Sequence, residues 1–161
     1  MATLDDFLTP IEAAQEGNLD GLQTLINTNA DIQYRDSNGF TALMWSARKD
    51  HVECLQALID ANADIDAIDL AGCTALQMAA AEGHTHSVQQ LLRAHADVQV
   101  ADEGGYTALI YAAQAGNLDC TKLLLDAKAE IDAQENDGHT SLIFAAQGGQ
   151  IECTQILIDA K

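Results

Sequence analysis

The sequence predicts an all-α repeat fold, in which similar helix pairs stack side by side. The first observation is a Thr-Ala-Leu or Thr-Ser-Leu segment that recurs every 33 residues, at Thr41, Thr74, Thr107 and Thr140. The second is an apolar segment that follows each of them, with the sequences HVECLQALID, HTHSVQQLLR, NLDCTKLLLD and QIECTQILID. Glycines recur at the same step, at Gly83, Gly116 and Gly149. Self-similarity of this length is typical of stacked supersecondary units.

The first predicted helix of each unit begins after the recurring threonine, whose hydroxyl can cap the helix. It ends at the recurring glycine, because glycine adopts a positive φ at little cost. Asp50 stands where later units carry this glycine, and Gly17 lies one period earlier. Leu43 and Ala47 are expected to face inward. Pairs of small alanines allow neighbouring first helices to approach closely, at 79–80, 112–113 and 145–146.

The second predicted helix of each unit has one apolar face. Its side chains follow an i, i+3, i+6, i+7 pattern, seen in the second unit at Val52, Leu55, Leu58 and Ile59. A glycine before each recurring threonine marks a tight turn, at Gly39, Gly72, Gly105 and Gly138. The pattern predicts a single domain over residues 1–161, with units at about 5–36, 37–69, 70–102, 103–135 and 136–161.

The composition predicts a folded and strongly acidic protein. Apolar residues make up 48% of the 161 residues, which is enough for a sizeable core. Acidic residues outnumber basic ones by 25 to 7, which gives a formal charge of -18. Such a surface repels nucleic acids and anionic lipids, favours basic partners or cations, and keeps a monomer soluble.

Neither a membrane span nor a signal peptide is predicted. No stretch of 18 apolar residues occurs, and the start MATLDDFLTP has neither a basic nor an apolar leader region. The four cysteines form no Cys-x-x-Cys pair. The cytoplasm is therefore the expected location.

The repeated segments together resemble the ankyrin repeat. The resemblance rests on the threonine-leucine-alanine-alanine-glycine pattern, the later leucine pair and the alanine-aspartate step, and it covers about residues 5–161. It implies helix-turn-helix-hairpin units that stack into a curved solenoid. It also implies that the protein binds other proteins through its hairpin tips and inner helices, without catalysis. We further expect a monomer without a cofactor.

The sequence departs from the family pattern at three positions of the repeat. The usual proline after the threonine is replaced by Ala42, Ala75, Ala108 and Ser141. The usual histidine is replaced by Met44, Gln77, Ile110 and Ile143. The family's threonine–histidine hydrogen bond is therefore expected to be lost. The usual glycine before the hairpin is replaced by Asn29, Asn62, His95 and Lys128. We expect these residues to adopt the left-handed αL conformation, which asparagine tolerates best.

An acidic cluster, Asp64, Asp66 and Asp69, lies in a predicted hairpin between two units. Aspartates suit tight turns, because their side chains accept hydrogen bonds from nearby backbone N–H groups. Calcium binding between neighbouring tips is the alternative, since calcium takes about six to eight oxygen ligands. The candidate ligands are Asp69 with Asp102 and Glu103, or Glu135 with Asp137. A catalytic carboxylate pair is not expected on an exposed ridge.

The cysteines and histidines form no recognisable metal or catalytic motif. Cys54, Cys120 and Cys153 share one position on the second helix, and we expect buried thiols that are too far apart for disulfides. Cys73 follows a hairpin glycine and is expected to be exposed and open to modification. The five histidines show no zinc-binding spacing, and no phosphate-binding or nucleophile motif occurs.

Two rows of larger side chains distinguish the units. Phe40, Tyr106 and His139 share the position after the hairpin glycine, which the resemblance places on the concave face. We expect Phe40 and Tyr106 to contact a partner, because exposed aromatic residues dominate binding hot spots. A second row on the first helix is expected to pack between repeats and comprises Trp45, Met78, Tyr111 and Phe144.

The predicted binding residues on the concave face are here called the palm. They are Arg35, Ser37, Asn38, Phe40, Arg48, Lys49, Ala81, Glu82, Glu103, Tyr106, Gln114 and His139. Arg48 and Lys49 either favour the helix dipole or, with Arg35, form a pocket for an acidic side chain. The last unit keeps apolar residues at 156–158, so we expect the natural chain to continue or to leave a bare edge, rather than a specific dimer.

Overall fold

The computed structural model describes residues 8–161, which form ten α-helices and no β-strand. The helices are α1 (Pro10–Glu16), α2 (Leu19–Asn27), α3 (Ala42–Lys49), α4 (Val52–Asp60), α5 (Ala75–Glu82), α6 (Thr85–Arg93), α7 (Ala108–Ala115), α8 (Leu118–Asp126), α9 (Ser141–Gln147) and α10 (Ile151–Asp159). The predicted all-helical repeat fold is confirmed. The start of the predicted first unit and most of the segment considered for a signal peptide lie outside the described residues.

The helices form two layers. The first helices α1, α3, α5, α7 and α9 contact one another in chain order, and the second helices α2, α4, α6, α8 and α10 form the other layer. The first helices pack more closely, because alanines such as Ala79 and Ala112 are fully buried between them. We infer that the stack curves toward the first helices, so the palm lies on this concave side, beside the hairpins.

Each first helix begins at a threonine that caps it. In α3 the Thr41 hydroxyl accepts a hydrogen bond from the Met44 N–H at 3.3 Å, and α5, α7 and α9 begin in the same way. Helix α1 begins at Thr9, which forms a reciprocal capping box with Glu12. Pro10 follows Thr9, so the proline that later units lack is present in the first.

At Gln77 another side chain bonds to the threonine in place of the family's histidine. Its Oε1 accepts a hydrogen bond from the Thr74 N–H at 2.6 Å. Its Nε2 donates to the carbonyl oxygens of Tyr106 at 2.7 Å and Val100 at 3.2 Å. A buried amide thus takes the place of the histidine and ties α5 to the next hairpin. An apolar residue such as Ile110 cannot make these bonds.

Between residues 8 and 161, non-glycine residues adopt the αL conformation at five places. The four predicted ones have φ of 59°, 61°, 64° and 67°, at Asn29, Asn62, His95 and Lys128. The fifth is Asp50 at the end of α3, with φ of 56°. Its Oδ1 accepts a 2.7 Å hydrogen bond from the hydroxyl of Ser87 in the next unit. The next unit therefore supports a conformation that is unfavourable for aspartate.

The core runs along the stack between the two layers. Leu55 and Leu58 are fully buried, as the periodicity predicts, whereas Val52 and Ile59 are half-buried. The three equivalent cysteines are free thiols with 1% exposure, which confirms their predicted burial. The last unit leaves more apolar surface open, and Ile151 at the start of α10 is 81% exposed.

Residues at the start of the second helices bond back to the preceding unit. His51 Nε2 lies 3.2 Å from the carbonyl oxygen of Gln15, and His84 Nε2 lies 3.0 Å from that of Arg48. Asn117 Nδ2 donates to two carbonyls at the end of α5. These groups satisfy carbonyls that a helix end leaves free. Both histidines thus have a structural role at a helix start.

Candidate functional site

The carboxylates of the hairpins cap their own turns. Asp69 Oδ1 accepts hydrogen bonds from the N–H groups of Ala71 and Cys73, both at 2.8 Å. The equivalent acids accept the same pair of backbone bonds, at Asp36, Asp102 and Glu135. These bonds support the interpretation of Asp69 as a turn residue.

The hairpins of neighbouring units are joined through their backbones. The Leu70 N–H donates to the Asn38 carbonyl at 3.0 Å, and the Glu103 N–H donates to the Ala71 carbonyl at 3.0 Å. Gly39, with φ of 83°, lies so close that an added Cβ would come within 2.9 Å of the Leu70 nitrogen. The hairpins therefore form one continuous ridge beside the palm.

The calcium alternative finds no support in the structure. Across residues 8–161, no group of three or more histidine, cysteine, aspartate or glutamate side chains is placed to hold a metal ion. The proposed ligand Asp102 already accepts hydrogen bonds on both oxygens, from two backbone N–H groups on Oδ1 and from Tyr111 on Oδ2. A cation would have to displace these donors.

Aromatic side chains line the concave face in two clusters. The Phe40 and Trp45 ring centroids are 5.0 Å apart, while Tyr106 lies 5.3 Å from Tyr111 and 5.4 Å from Phe144. The second row was predicted to pack between repeats. Trp45 and Met78 do pack against the core, and all four side chains of the row are half-buried. Their position on the first helices leaves one face of each open to the palm.

The predicted basic patch is divided between two places. The Arg48 guanidinium lies over the rings of Phe40 and Trp45, at 5.6 and 5.5 Å from their centroids. Such a cation–π contact holds a planar charge at the edge of the palm. Arg35 instead donates to backbone carbonyls of the hairpin ridge, and Lys49 is exposed at the end of α3.

A cleft of about 210 Å³ opens on the palm at the third unit. It is lined by Phe40, Arg48, Asp69, Cys73, Gln77, Met78, Ala81, Glu82 and Tyr111. The cleft forms because the third unit carries smaller side chains than its neighbours. Cys73 stands where adjacent units have Phe40 and Tyr106, and Ala81 stands where they have Arg48 and Gln114.

The structure brings only some of the predicted palm residues together. Four line the cleft: Phe40, Arg48, Ala81 and Glu82. Four belong to the hairpin ridge: Arg35, Ser37, Asn38 and Glu103. The other four neither line the cleft nor belong to the ridge: Lys49, Tyr106, Gln114 and His139.

Sequence reasoning missed several exposed or cleft-lining residues. It did not assign Asp69, Met78 or Tyr111 to the palm, because each had a simpler explanation as a turn or core residue. It also missed three apolar side chains on the ridge, Tyr34, Ile68 and Leu70, with exposures of 57%, 47% and 72%. Leu70 carried a usable signal, since the equivalent positions hold Ser37, Glu103 and Asn136.

Cys73 is less exposed than the sequence indicated. Its side chain is half-buried, with Sγ at 3.6 Å from Asp102 Oδ2 and 3.9 Å from the Tyr111 hydroxyl. Burial, with the negative charge of Asp69, raises the pKa of this thiol to about 11. Burial and the hydrogen bond to Asp102 also raise the pKa of Tyr111. Both groups are neutral at pH 7, and the thiol is a poor nucleophile.

Comparison with known proteins identifies the family. A family model described as ankyrin repeats (3 copies) matches residues 11–102 and 77–161. A search of curated proteins gave no significant match. None of the helices between residues 8 and 161 is long and apolar enough to cross a membrane. Ankyrin repeats generally serve as protein–protein interaction modules, typically without enzymatic activity. The helix pairs, the joined hairpins and the match over residues 11–161 agree, and the chain belongs to the ankyrin repeat family.

Proposed function

We propose that this protein is a non-enzymatic scaffold that binds a protein partner through its palm, with contributions from the hairpin ridge. The observation that carries the proposal is the cleft, which combines aromatic walls with charged groups at its rim. Aromatic and arginine side chains are the residues that most often anchor interfaces. Their support by a rigid stack of helices lowers the entropy lost on binding.

The proposal includes a partner with a basic surface. A formal charge of -18 attracts positively charged molecules and speeds their encounter with the palm. We also propose a monomer in the cytoplasm. The four free cysteines are compatible with a reducing compartment.

The proposal is tested by affinity capture from a lysate of the source organism with three matched variants. Phe40→Ala/Tyr106→Ala removes aromatic anchors from the palm, and Tyr34→Ala/Leu70→Ala removes exposed apolar side chains from the ridge. Ile151→Ala removes an exposed apolar side chain from α10 and serves as the control. We expect the palm variant to lose a partner that the control retains, with a smaller loss for the ridge variant.

Thermal melting of each variant separates lost binding from lost folding. A partner retained by a well-folded palm variant, but lost from Ile151→Ala, would place the interface on the second-helix face and contradict the proposal. Salt provides a further check, because an acidic surface that steers a basic partner should bind it less well at higher ionic strength.

A further inference from the structure

The hairpin aspartates differ in whether their second carboxylate oxygen, Oδ2, accepts a hydrogen bond. Asp36 Oδ2 accepts a hydrogen bond from the Trp45 indole N–H at 3.0 Å. Asp102 Oδ2 accepts one from the Tyr111 hydroxyl at 2.5 Å. Both donors lie nine residues after the aspartate, on the first helix of the unit that follows it. At these two hairpins the side chain of a tryptophan or a tyrosine therefore donates to the second carboxylate oxygen.

Asp69 has no such partner. The residue nine positions later is Met78, whose thioether cannot donate a hydrogen bond. Its Oδ1 binds the two turn N–H groups, but Oδ2 accepts no hydrogen bond from any residue of the described range. Asp69 and Met78 both line the cleft. The hairpin that precedes the third unit therefore has a carboxylate oxygen available, whereas the equivalent oxygens of Asp36 and Asp102 are bonded to an aromatic donor.

The cleft also provides surroundings suited to an aromatic ring. Phe40 and Tyr111 lie on its walls, and Met78 presents a sulfur of the kind that favours contact with ring edges. The Arg48 guanidinium on the same wall attracts a π-system, and its charge offsets one of the two carboxylates that line the cleft, Asp69 and Glu82. These features suit an aromatic ring that carries a hydrogen-bond donor.

We propose that the cleft binds a tyrosine or tryptophan side chain of the protein partner, whose ring O–H or N–H donates to Asp69 Oδ2. The incoming ring occupies the space that Trp45 and Tyr111 fill in the adjacent units. Basic residues beside it in the partner's sequence contact the acidic surface. This inference rests on the proposed function and specifies the chemistry of its anchor.

The test uses the peptides acetyl-Lys-Gly-Xaa-Gly-Lys-amide, with tyrosine, tryptophan, phenylalanine, arginine or alanine at Xaa. Binding is followed by chemical shifts of the ¹⁵N-labelled protein. The tyrosine and tryptophan peptides should bind with Kd on the order of 1 mM, shifting resonances around Asp69 and Met78. The tyrosine peptide should bind at least about 5-fold more tightly than the phenylalanine peptide, because a site with a hydrogen-bonding group disfavours a ligand that lacks one.

Two variants locate the interaction, and a third controls for charge. Asp69→Asn keeps the Oδ1 acceptor for the turn but replaces Oδ2 with an amide donor, so the tryptophan peptide, whose indole N–H can only donate, should bind more weakly. Met78→Trp should fill the cleft from within and abolish binding of the aromatic peptides. Asp126→Asn removes the same charge from an exposed residue at the end of α8 and should change nothing.

Three results would overturn the inference: equal binding of the tyrosine and phenylalanine peptides to the wild type, tightest binding of the arginine peptide, or no binding of any aromatic peptide. Each leaves the palm proposal standing if Phe40→Ala/Tyr106→Ala still loses the captured partner. Retention of that partner by a folded palm variant would instead remove the proposed function itself.

Discussion

The second unit, residues 37–69, and the fourth, residues 103–135, have almost the same backbone but different chemistry at equivalent positions. The second unit carries Ser46 and Asp50 where the fourth carries Ala112 and Gly116. Both arrangements place a capped helix pair and a hairpin in the stack. The comparison shows that the repeat accepts polar residues at positions where another unit carries alanine or glycine.

The two polar residues of the second unit differ in whether they have a hydrogen-bond partner. Asp50 has a partner in Ser87 of the third unit. Ser46 is fully buried, and its hydroxyl has no hydrogen-bond partner in the described residues. Asp50 therefore has a hydrogen-bond partner in the neighbouring unit, whereas the unpaired hydroxyl of Ser46 is expected to lower stability.

We expect the largest effect from variants that break the hydrogen bond between Asp50 and Ser87. Ser87→Cys, which copies the cysteine of the second, fourth and fifth units, should destabilise by about 1–2 kcal/mol because Asp50 loses its donor. Asp50→Gly removes αL strain but leaves a buried serine hydroxyl unpaired. The double variant should be close to the wild type, with a coupling of about 1–2 kcal/mol in urea unfolding. Simply additive effects would show that the bond contributes nothing to the junction.

We expect the next largest effect on stability from Ser46, whose hydroxyl is unpaired. Ser46→Ala should stabilise the protein by about 1 kcal/mol, because it removes an unpaired buried hydroxyl and improves helix propensity. The reverse change in the fourth unit, Ala112→Ser, should destabilise by a similar amount. Both are measured from unfolding midpoints in urea. A loss of stability in Ser46→Ala would reveal a hydrogen bond that Ser46 makes in solution.

Replacing the αL residues before the hairpins with glycine should change stability by smaller amounts. Lys128→Gly in the fourth unit should stabilise by about 1 kcal/mol, because lysine is strained at a φ of 67°. Asn62→Gly in the second unit should change stability by only a few tenths of a kcal/mol, since asparagine tolerates αL. Melting temperatures of the two variants provide the measurement. Equal shifts would mean that conformational strain at Lys128 is not the cause.

The smallest expected effect concerns pH. Burial alone would raise the pKa of Asp36, but hydrogen bonds from Trp45 and from the backbone N–H groups of Asn38 and Phe40 outweigh it and lower this pKa below 3.8. A lowered pKa contributes stability above the unfolded value, and this contribution is lost as pH falls through the folded value. The stability difference between wild type and Asp36→Asn should therefore be constant from pH 5 to 7 and shrink below about pH 3.8. A difference that grew in acid would contradict the assigned bonds.

Much of the fold could be predicted from the sequence, but less of the candidate site. Threonine caps, αL positions and buried cysteines follow from local spacing. That Met78 and Tyr111 line the cleft could not be predicted, because a half-buried row of side chains has the same periodicity as a core row. The exposure of Cys73 was misjudged, because its contacts come from Asp102, at the far end of the same unit, and from Tyr111 in the next unit.

The sequence by itself determined the repeat period, the helix pairs and the conformations at their ends, since caps, turns and apolar faces act over a few neighbouring residues. Only the tertiary structure decided which groups meet across a junction. Gln77 reaches the next hairpin, Asp50 meets Ser87, and Asp69 keeps an oxygen without a donor at the edge of a cleft. These contacts involve side chains that are far apart in the sequence, and they form only because the units stack.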